Sequence, residues 1–239
     1  AMVTTSIAMM KVLEENGVKP DVAAGLSLGE YCALVAAGVM TADDAIRTVR
    51  ERGILMQEAV PAGVGGMSAV LGMTADEINA VVDEIPNVQV ANYNCPGQIV
   101  ISGLKEAVET AAVKLKEAGA RRVIPLNVSG PFHSYLLEEA GEKLGRFLEN
   151  IPVSEPKIPY VANVTAAYVT KAEDVKPLLT RQVSSSVRWQ QTVETMLADG
   201  VDRFIEIGPG KTLAGFIRKI NREATVINIE KFEDLEKLN

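Results

Sequence analysis

Apolar residues near the start of the chain fall at Ile7, Met10 and Leu13, with Glu14 and Glu15 behind them, then Gly17 and Pro20. That spacing, closed by a glycine, predicts an amphipathic helix over 2–16. The short apolar run Asp21-Val22-Ala23-Ala24 predicts a buried strand, and 30–38 predicts a helix ended by Gly38. Thr41, with Asp43 and Asp44 behind it, predicts an N-cap. Ile46, Val49, Gly53 and Met56 then form one face of a helix running to residue 60. Arg47, Arg50 and Arg52 fall off that face. Arg50 and Arg52 flank it on either side, and periodicity does not choose between them.

Beyond the glycine-rich joint 61–66 the pattern turns to shorter units. Strands are predicted over 67–71, 88–91, 98–102 and 122–126, with 92–97 as a turn. One helix begins at Thr74 and carries Ile78, Val81, Val82 and Ile85, and a second carries Val108, Ala111, Ala112 and Leu115 up to Gly119. The order β-α-β-β-α-β over about sixty residues is the ferredoxin-like pattern. It predicts an insert, 62–126, in a larger unit made of 1–61 and 127–239. That unit continues with helices over 135–148, 174–182 and 213–220, another carrying Val193, Met196 and Leu197, and strands over 158–161, 203–207 and 225–229. The charged tail is expected to be mobile.

Composition narrows the options. The chain has 239 residues, 47% apolar and 23% charged, with a net charge of −7. Nucleic acid is therefore an unexpected partner. No apolar run is long enough to span a bilayer, and the first residues lack the basic-then-apolar order of a signal peptide. Two distant cysteines, Cys32 and Cys95, do not form a disulfide framework, so a reducing cytoplasm is the expected compartment. They and a single histidine match no zinc spacing, and no metal is expected. Any imidazole chemistry must use His133, the only histidine.

Gly25-Leu26-Ser27-Leu28-Gly29 fits G-x-S-x-G between a predicted strand and a predicted helix, the setting of a nucleophile elbow. Ser27 would sit in a strained turn at a helix N-terminus, with the Leu28 N–H facing an oxyanion. Serine needs a base, and His133 stands in Gly130-Pro131-Phe132-His133-Ser134, where glycine and proline fix the backbone. The order serine then histidine, with a long stretch following, departs from common esterases. Two glycine-rich stretches are excluded from phosphate binding. The dinucleotide pattern at 63 fails at Ser68, and the P-loop pattern at 210–212 fails at Ile205.

Several segments together resemble the malonyl-CoA:acyl-carrier-protein transacylase family of fatty-acid synthesis. They are Gly25-Leu26-Ser27-Leu28-Gly29-Glu30-Tyr31, Glu51-Arg52-Gly53 with 56–61, Ala91-Asn92-Tyr93-Asn94-Cys95-Pro96-Gly97-Gln98, the 130–134 segment and Gly208-Pro209-Gly210-Lys211. The resemblance implies an α/β-hydrolase-like large domain with a ferredoxin-like insert. It implies Ser27 as acyl carrier, His133 as base, and a main-chain carbonyl of Gln182-Val183 as the group that orients it. It implies Arg52 for the malonyl carboxylate, Phe132 beside the malonyl α-carbon, and Asn92 and Asn94 as substrate-binding residues. Malonyl-CoA and acyl carrier protein are the implied partners of a monomer that needs no cofactor. Carrier docking on an acidic chain needs a local basic patch, either Lys211, Arg218, Lys219 and Arg222 or Arg121 and Arg122. Leu26 stands where the family usually has a histidine. The family's opening strand and glycine-rich loop, which brings a second oxyanion donor, have no counterpart here, so an N-terminal truncation is expected. A serine thioesterase, or an inactive chain that only binds carrier protein, are the alternatives.

Overall fold

The computed structural model describes residues 1–238. Helix α1 (Met2–Glu15) buries Val3, Ile7, Met10 and Leu13, and Gly17, at φ +83°, ends it. Strand β1 (Ala23–Ala24) is shorter than the predicted run. Helix α2 (Gly29–Ala36) follows at once, with Tyr31 and Leu34 fully buried.

Helix α3 (Ala42–Glu58) starts as predicted, with Thr41 Oγ1 accepting from the Asp44 N–H at 3.1 Å. Such a cap stabilises a helix by about 1 kcal/mol. Its buried residues are Ala45, Thr48, Arg52 and Met56. The predicted stripe of Ile46, Val49, Gly53 and Met56 is thus displaced by one position at its first three residues, while Met56 is buried as predicted. Ile46 and Val49 lie half-buried at its edge, and Gly53 is exposed. Hydropathy excludes a cation from a buried stripe, and here a cation stands inside it.

The next segment forms a four-stranded antiparallel sheet. Its strands are β2 (Gly65–Leu71), β3 (Val88–Cys95), β4 (Gln98–Leu104) and β5 (Arg122–Pro125), in the order β3-β4-β2-β5. Helices α4 (Ala75–Val82) and α5 (Lys105–Glu117) cover one face, packing Ile78, Val82, Val108 and Leu115 on Val70, Val90, Ile101 and Val123. Thr74 and Glu77 form a full capping box on α4. The other face carries Met67, Ala69, Ala91 and Val100, with Phe132 against it. The predicted turn 92–97 contracts to Pro96-Gly97, because β3 continues through Asn92–Cys95 with two register shifts.

The chain then runs through a 3-10 turn (Tyr135–Leu137) into helix α6 (Glu138–Leu148). Strand β6 (Tyr160–Val161) pairs parallel with β1 and antiparallel with β7 (Tyr168–Val169), a strand too short to carry a period. Helices α7 (Ala172–Gln182) and α8 (Trp189–Ala198) follow. The chain ends in the parallel pair β8 (Arg203–Ile207) and β9 (Thr225–Ile229), joined by α9 (Thr212–Ile220). Leu34, Leu144 and Leu179, all fully buried, tie α2, α6 and α7 into the main core. Truncating any one to alanine is expected to cost about 2–5 kcal/mol. Phe232–Leu238 of the charged tail form a 3-10 helix. Asp234 accepts from the Glu230 and Lys231 N–H groups and holds it to β9. No helix among the described residues is long and apolar enough to cross a membrane.

Candidate active site

The turn from β1 into α2 sets Ser27 at φ +51°, and His133 stands at φ +57°. These left-handed conformations are strained for residues other than glycine, on the order of 1–3 kcal/mol each. Of the four non-glycine residues with positive φ among the described residues, these two touch each other. A Cβ on Gly25 would collide with the Gly29 carbonyl, so the first motif glycine is required, whereas open space surrounds Gly29.

Ser27 Oγ lies 2.7 Å from His133 Nε2. The other ring nitrogen, Nδ1, lies 2.9 Å from the Gln182 carbonyl oxygen. A carbonyl only accepts, so Nδ1 carries the proton and Nε2 is free to accept from the serine hydroxyl. The Arg52 guanidinium donates to Ser27 Oγ at 3.0 Å and to Gln182 Oε1 at 3.2 Å. It is 6% exposed and sits 5.9 Å over the Tyr31 ring, and its Nε has no partner among the described residues. The Leu28 amide, first after the serine, makes no hydrogen bond among the described residues.

Burial pushes His133 down to about 4, helped by the Arg52 charge and opposed by bonds to the backbone at Gln182 and Ser185. The imidazole is therefore neutral at pH 7 and can take a proton. Burial pushes the Glu30 carboxyl up to about 7, opposed by Gln182, Asn163 and Arg52. Burial lowers Arg52 too, and Tyr31 and Glu30 offset part of that.

Ser27, His133, Arg52 and Gln182 are thus joined by direct hydrogen bonds, with Leu28 beside them. Phe132 is half-buried between the main core and the open face of the four-stranded sheet. Asn92 and Asn94 are buried on β3, but no hydrogen bond links them to the serine–histidine pair among the described residues. The main chain of β3 instead meets the Val187 segment, through Tyr93 N–H to Val187 O at 2.9 Å and Val187 N–H to Ala91 O at 2.8 Å.

Sequence reasoning missed three side chains. Asn163 accepts from the Ser27 N–H at 2.6 Å and donates to the Gly25 carbonyl at 2.7 Å, pinning the elbow. Gln89 donates to the His133 carbonyl at 3.2 Å and accepts from the Tyr135 N–H at 3.0 Å, holding the histidine turn. The Gln182 side chain donates to the Ser27 carbonyl at 3.0 Å. Asn163 carried a faint signal, a polar residue in the apolar run Val161-Ala162-Asn163-Val164. Among the described residues no group of three His, Cys, Asp or Glu side chains is placed to hold a metal ion.

Residues 1–232 match the acyl transferase domain family. The chain belongs to that family. Malonyl CoA-acyl carrier protein transacylase of Bacillus subtilis (strain 168) is 48% identical over 240 residues, which span 99% of this acyl transferase chain and 76% of that protein. The crystal structure of an acyl carrier protein S-malonyltransferase from Vibrio cholerae superposes with a TM-score of 0.97 at 41% identity, over 99% of this chain and 79% of that one. A type II PKS acyl-carrier protein in complex with its malonyl-transacylase gives a TM-score of 0.95 at 41% identity, over 98% and 77%. The acyl transferase fold is accordingly the mixed α/β fold of these enzymes.

Proposed function

We propose that this chain moves a malonyl group from malonyl-CoA, through an ester on Ser27, to the phosphopantetheine thiol of acyl carrier protein in fatty-acid biosynthesis. The carrying observation is the buried Arg52 guanidinium 3.0 Å from the Ser27 hydroxyl oxygen. A serine–histidine pair alone fits many acyl groups, while a buried cation beside the nucleophile selects an acyl group that ends in a carboxylate.

The steps follow from the hydrogen-bond directions. Ser27 passes its proton to His133 Nε2 as Oγ attacks the thioester carbonyl. The Gln182 carbonyl, accepting from Nδ1, favours the imidazolium that forms. The Leu28 N–H, at the N-terminus of α2, faces the oxyanion. Collapse expels the CoA sulfur, which takes the proton from His133. The carrier thiol then gives its proton to the same nitrogen and attacks the malonyl ester, and Ser27 Oγ leaves with that proton taken back from Nε2. Arg52 swaps its bond from Oγ to the malonyl carboxylate, and Phe132 bounds the space beside the α-carbon. Asn92 and Asn94 line the substrate path from β3.

The same reading divides the chain into an α/β-hydrolase-like catalytic domain, 1–61 and 127–239, and a ferredoxin-like insert, 62–126. The strand order β3-β4-β2-β5, with both helices on one face, supports that division. The reading takes the enzyme as a monomer. Both cysteines are free thiols, in keeping with a cytoplasmic enzyme.

The two basic patches lie close together. Lys219 Nζ reaches Gln98 Oε1 at 3.4 Å, Gly97 O accepts from the Gly72 N–H, and Leu71 O accepts from the Arg121 N–H. Beside them Lys211, Arg218 and Lys237 line a cavity of about 460 Å³ together with Glu230, and Lys237 is paired with Asp234. This edge is the proposed landing site for the acidic carrier. Intact mass spectrometry after mixing with malonyl-CoA tests the reading. One malonyl group on Ser27, discharged by carrier thiol faster than by water, is expected. Release of free malonate with no transfer would make the chain a hydrolase.

A further inference from the structure

Glu30 takes no part in the steps above, yet its carboxyl group bonds to the two residues whose side chains hold Ser27. It is 1% exposed, three residues after Ser27 on α2. Its Oε2 accepts from Gln182 Nε2 at 2.6 Å and from the Asn163 N–H at 3.3 Å. Asn163 holds the Ser27 N–H, and the Gln182 amide holds the Ser27 carbonyl and Arg52. No ion pair joins Glu30 to Arg52 among the described residues, so the link between them runs through the Gln182 amide.

A glutamine amide keeps its shape when oxygen and nitrogen exchange places, so its partners decide its orientation. Glu30 Oε2 accepts from the Asn163 N–H as well as from Gln182, and a guanidinium only donates. With Glu30 and the Ser27 carbonyl accepting on one side and Arg52 donating on the other, Nε2 faces the two acceptors and Oε1 faces Arg52. The reverse would set two acceptors and two donors against each other in a buried space.

We propose that Glu30 is a positioning residue which, through Gln182 and Asn163, holds the Arg52 guanidinium and the Ser27–His133 pair in register for malonyl transfer. The inference rests on the malonyl-transfer reading.

The test is a double-mutant cycle of Glu30→Ala and Gln182→Ala, with rates normalised to Ser27 titrated by malonyl-CoA. Glu30→Ala is expected to lower kcat/KM for malonyl-CoA on the order of 10–100-fold and to narrow the malonyl-over-acetyl ratio. The double variant is expected within about 3-fold of the worse single variant, because both changes break one chain of contacts. Glu30→Gln keeps an oxygen facing Gln182 and is expected to recover most of the loss. A purely structural role would lower the fraction of titratable enzyme and leave the ratio unmoved. Wild-type turnover per titrated Glu30→Ala site, or losses that multiply in the double variant, would overturn the inference. If Glu30→Ala does not fold, Glu30→Asp replaces it in the cycle, with about a 10-fold loss expected; full activity there overturns the inference equally. A wild-type chain that takes no malonyl group refutes the function itself, a result distinct from either.

Discussion

Replacing Arg52 by alanine tests how malonyl is told from acetyl. The two groups differ by one carboxylate, so discrimination needs a group that rewards that charge. Arg52 is almost fully buried, and its guanidinium already reaches the reacting oxygen. A hydrogen bond to a charged group contributes about 1.5–3 kcal/mol, so a two-pronged contact in this setting contributes about 3 kcal/mol or more. At about 1.4 kcal/mol per tenfold, Arg52→Ala is expected to lower kcat/KM for malonyl-CoA roughly 10²-fold. Acetyl-CoA has no carboxylate to lose and meets a buried cation with no ligand, so its rate is expected to hold or rise. Arg52→Lys keeps the charge without the fork and is expected to recover part of the loss. Arg50 is exposed on the outer side of α3 and serves as the control. The assay is the ratio of kcat/KM for the two thioesters, per titrated Ser27. A ratio that barely moves in Arg52→Ala but collapses in Arg50→Ala would refute the assignment.

Ser27→Ala is expected to abolish the acyl adduct in intact mass spectra; an adduct at full yield would mean another nucleophile. His133→Ala is expected to slow acylation by roughly 10²–10⁴-fold in stopped-flow release of CoA, since the chain has no second imidazole. Reversing the charge of Arg218 and Lys219 together is expected to raise KM for carrier protein and spare KM for malonyl-CoA, and an unchanged carrier KM would move docking elsewhere. Stability carries two opposed pH terms, readable from denaturant midpoints. Glu30 rises from 4.5 to about 7 on folding, so its contribution is present below 4.5 and lost as pH climbs through 7. His133 falls from 6.5 to about 4, so its contribution is present above 6.5 and lost as pH drops through 4. The wild type is expected to vary little between these values. Glu30→Gln uncovers the histidine term, a loss of about 3 kcal/mol between pH 7 and 4, and a Glu30→Gln curve as flat as the wild type's would contradict the assigned burial.

The elements legible in the sequence were those whose signal is local. A glycine after a periodic run ended α1, Thr41 and Thr74 capped their helices through side chains within three residues, and two glycines bracketed Ser27. The two-residue strand β7 leaves no period to read, whereas the apolar runs at 21–24 and 158–161 marked β1 and β6 but not their short extent. β3 was cut short because asparagine has low strand propensity, yet its neighbours on β4 and the Val187 segment satisfy that backbone. The site divided in the same way. Ser27 and His133 were legible because strained turns need glycine and proline around them.

What escaped was the polar network behind them, for a physical reason. Periodicity assigns charged residues to the surface, so it placed Arg52 off the core stripe and gave Glu30 no role. Both are buried because Gln182, Asn163 and Tyr31 satisfy or offset them, and those partners lie on α2, α7 and the end of β6. An isolated buried charge is costly, and groups perturbed by burial cluster at functional sites. The misplaced stripe on α3 is therefore itself informative. On the face that is actually buried, Thr48 returns its hydroxyl to the Asp44 carbonyl of its own helix, and Arg52 is the one charged residue, at the position that meets the nucleophile.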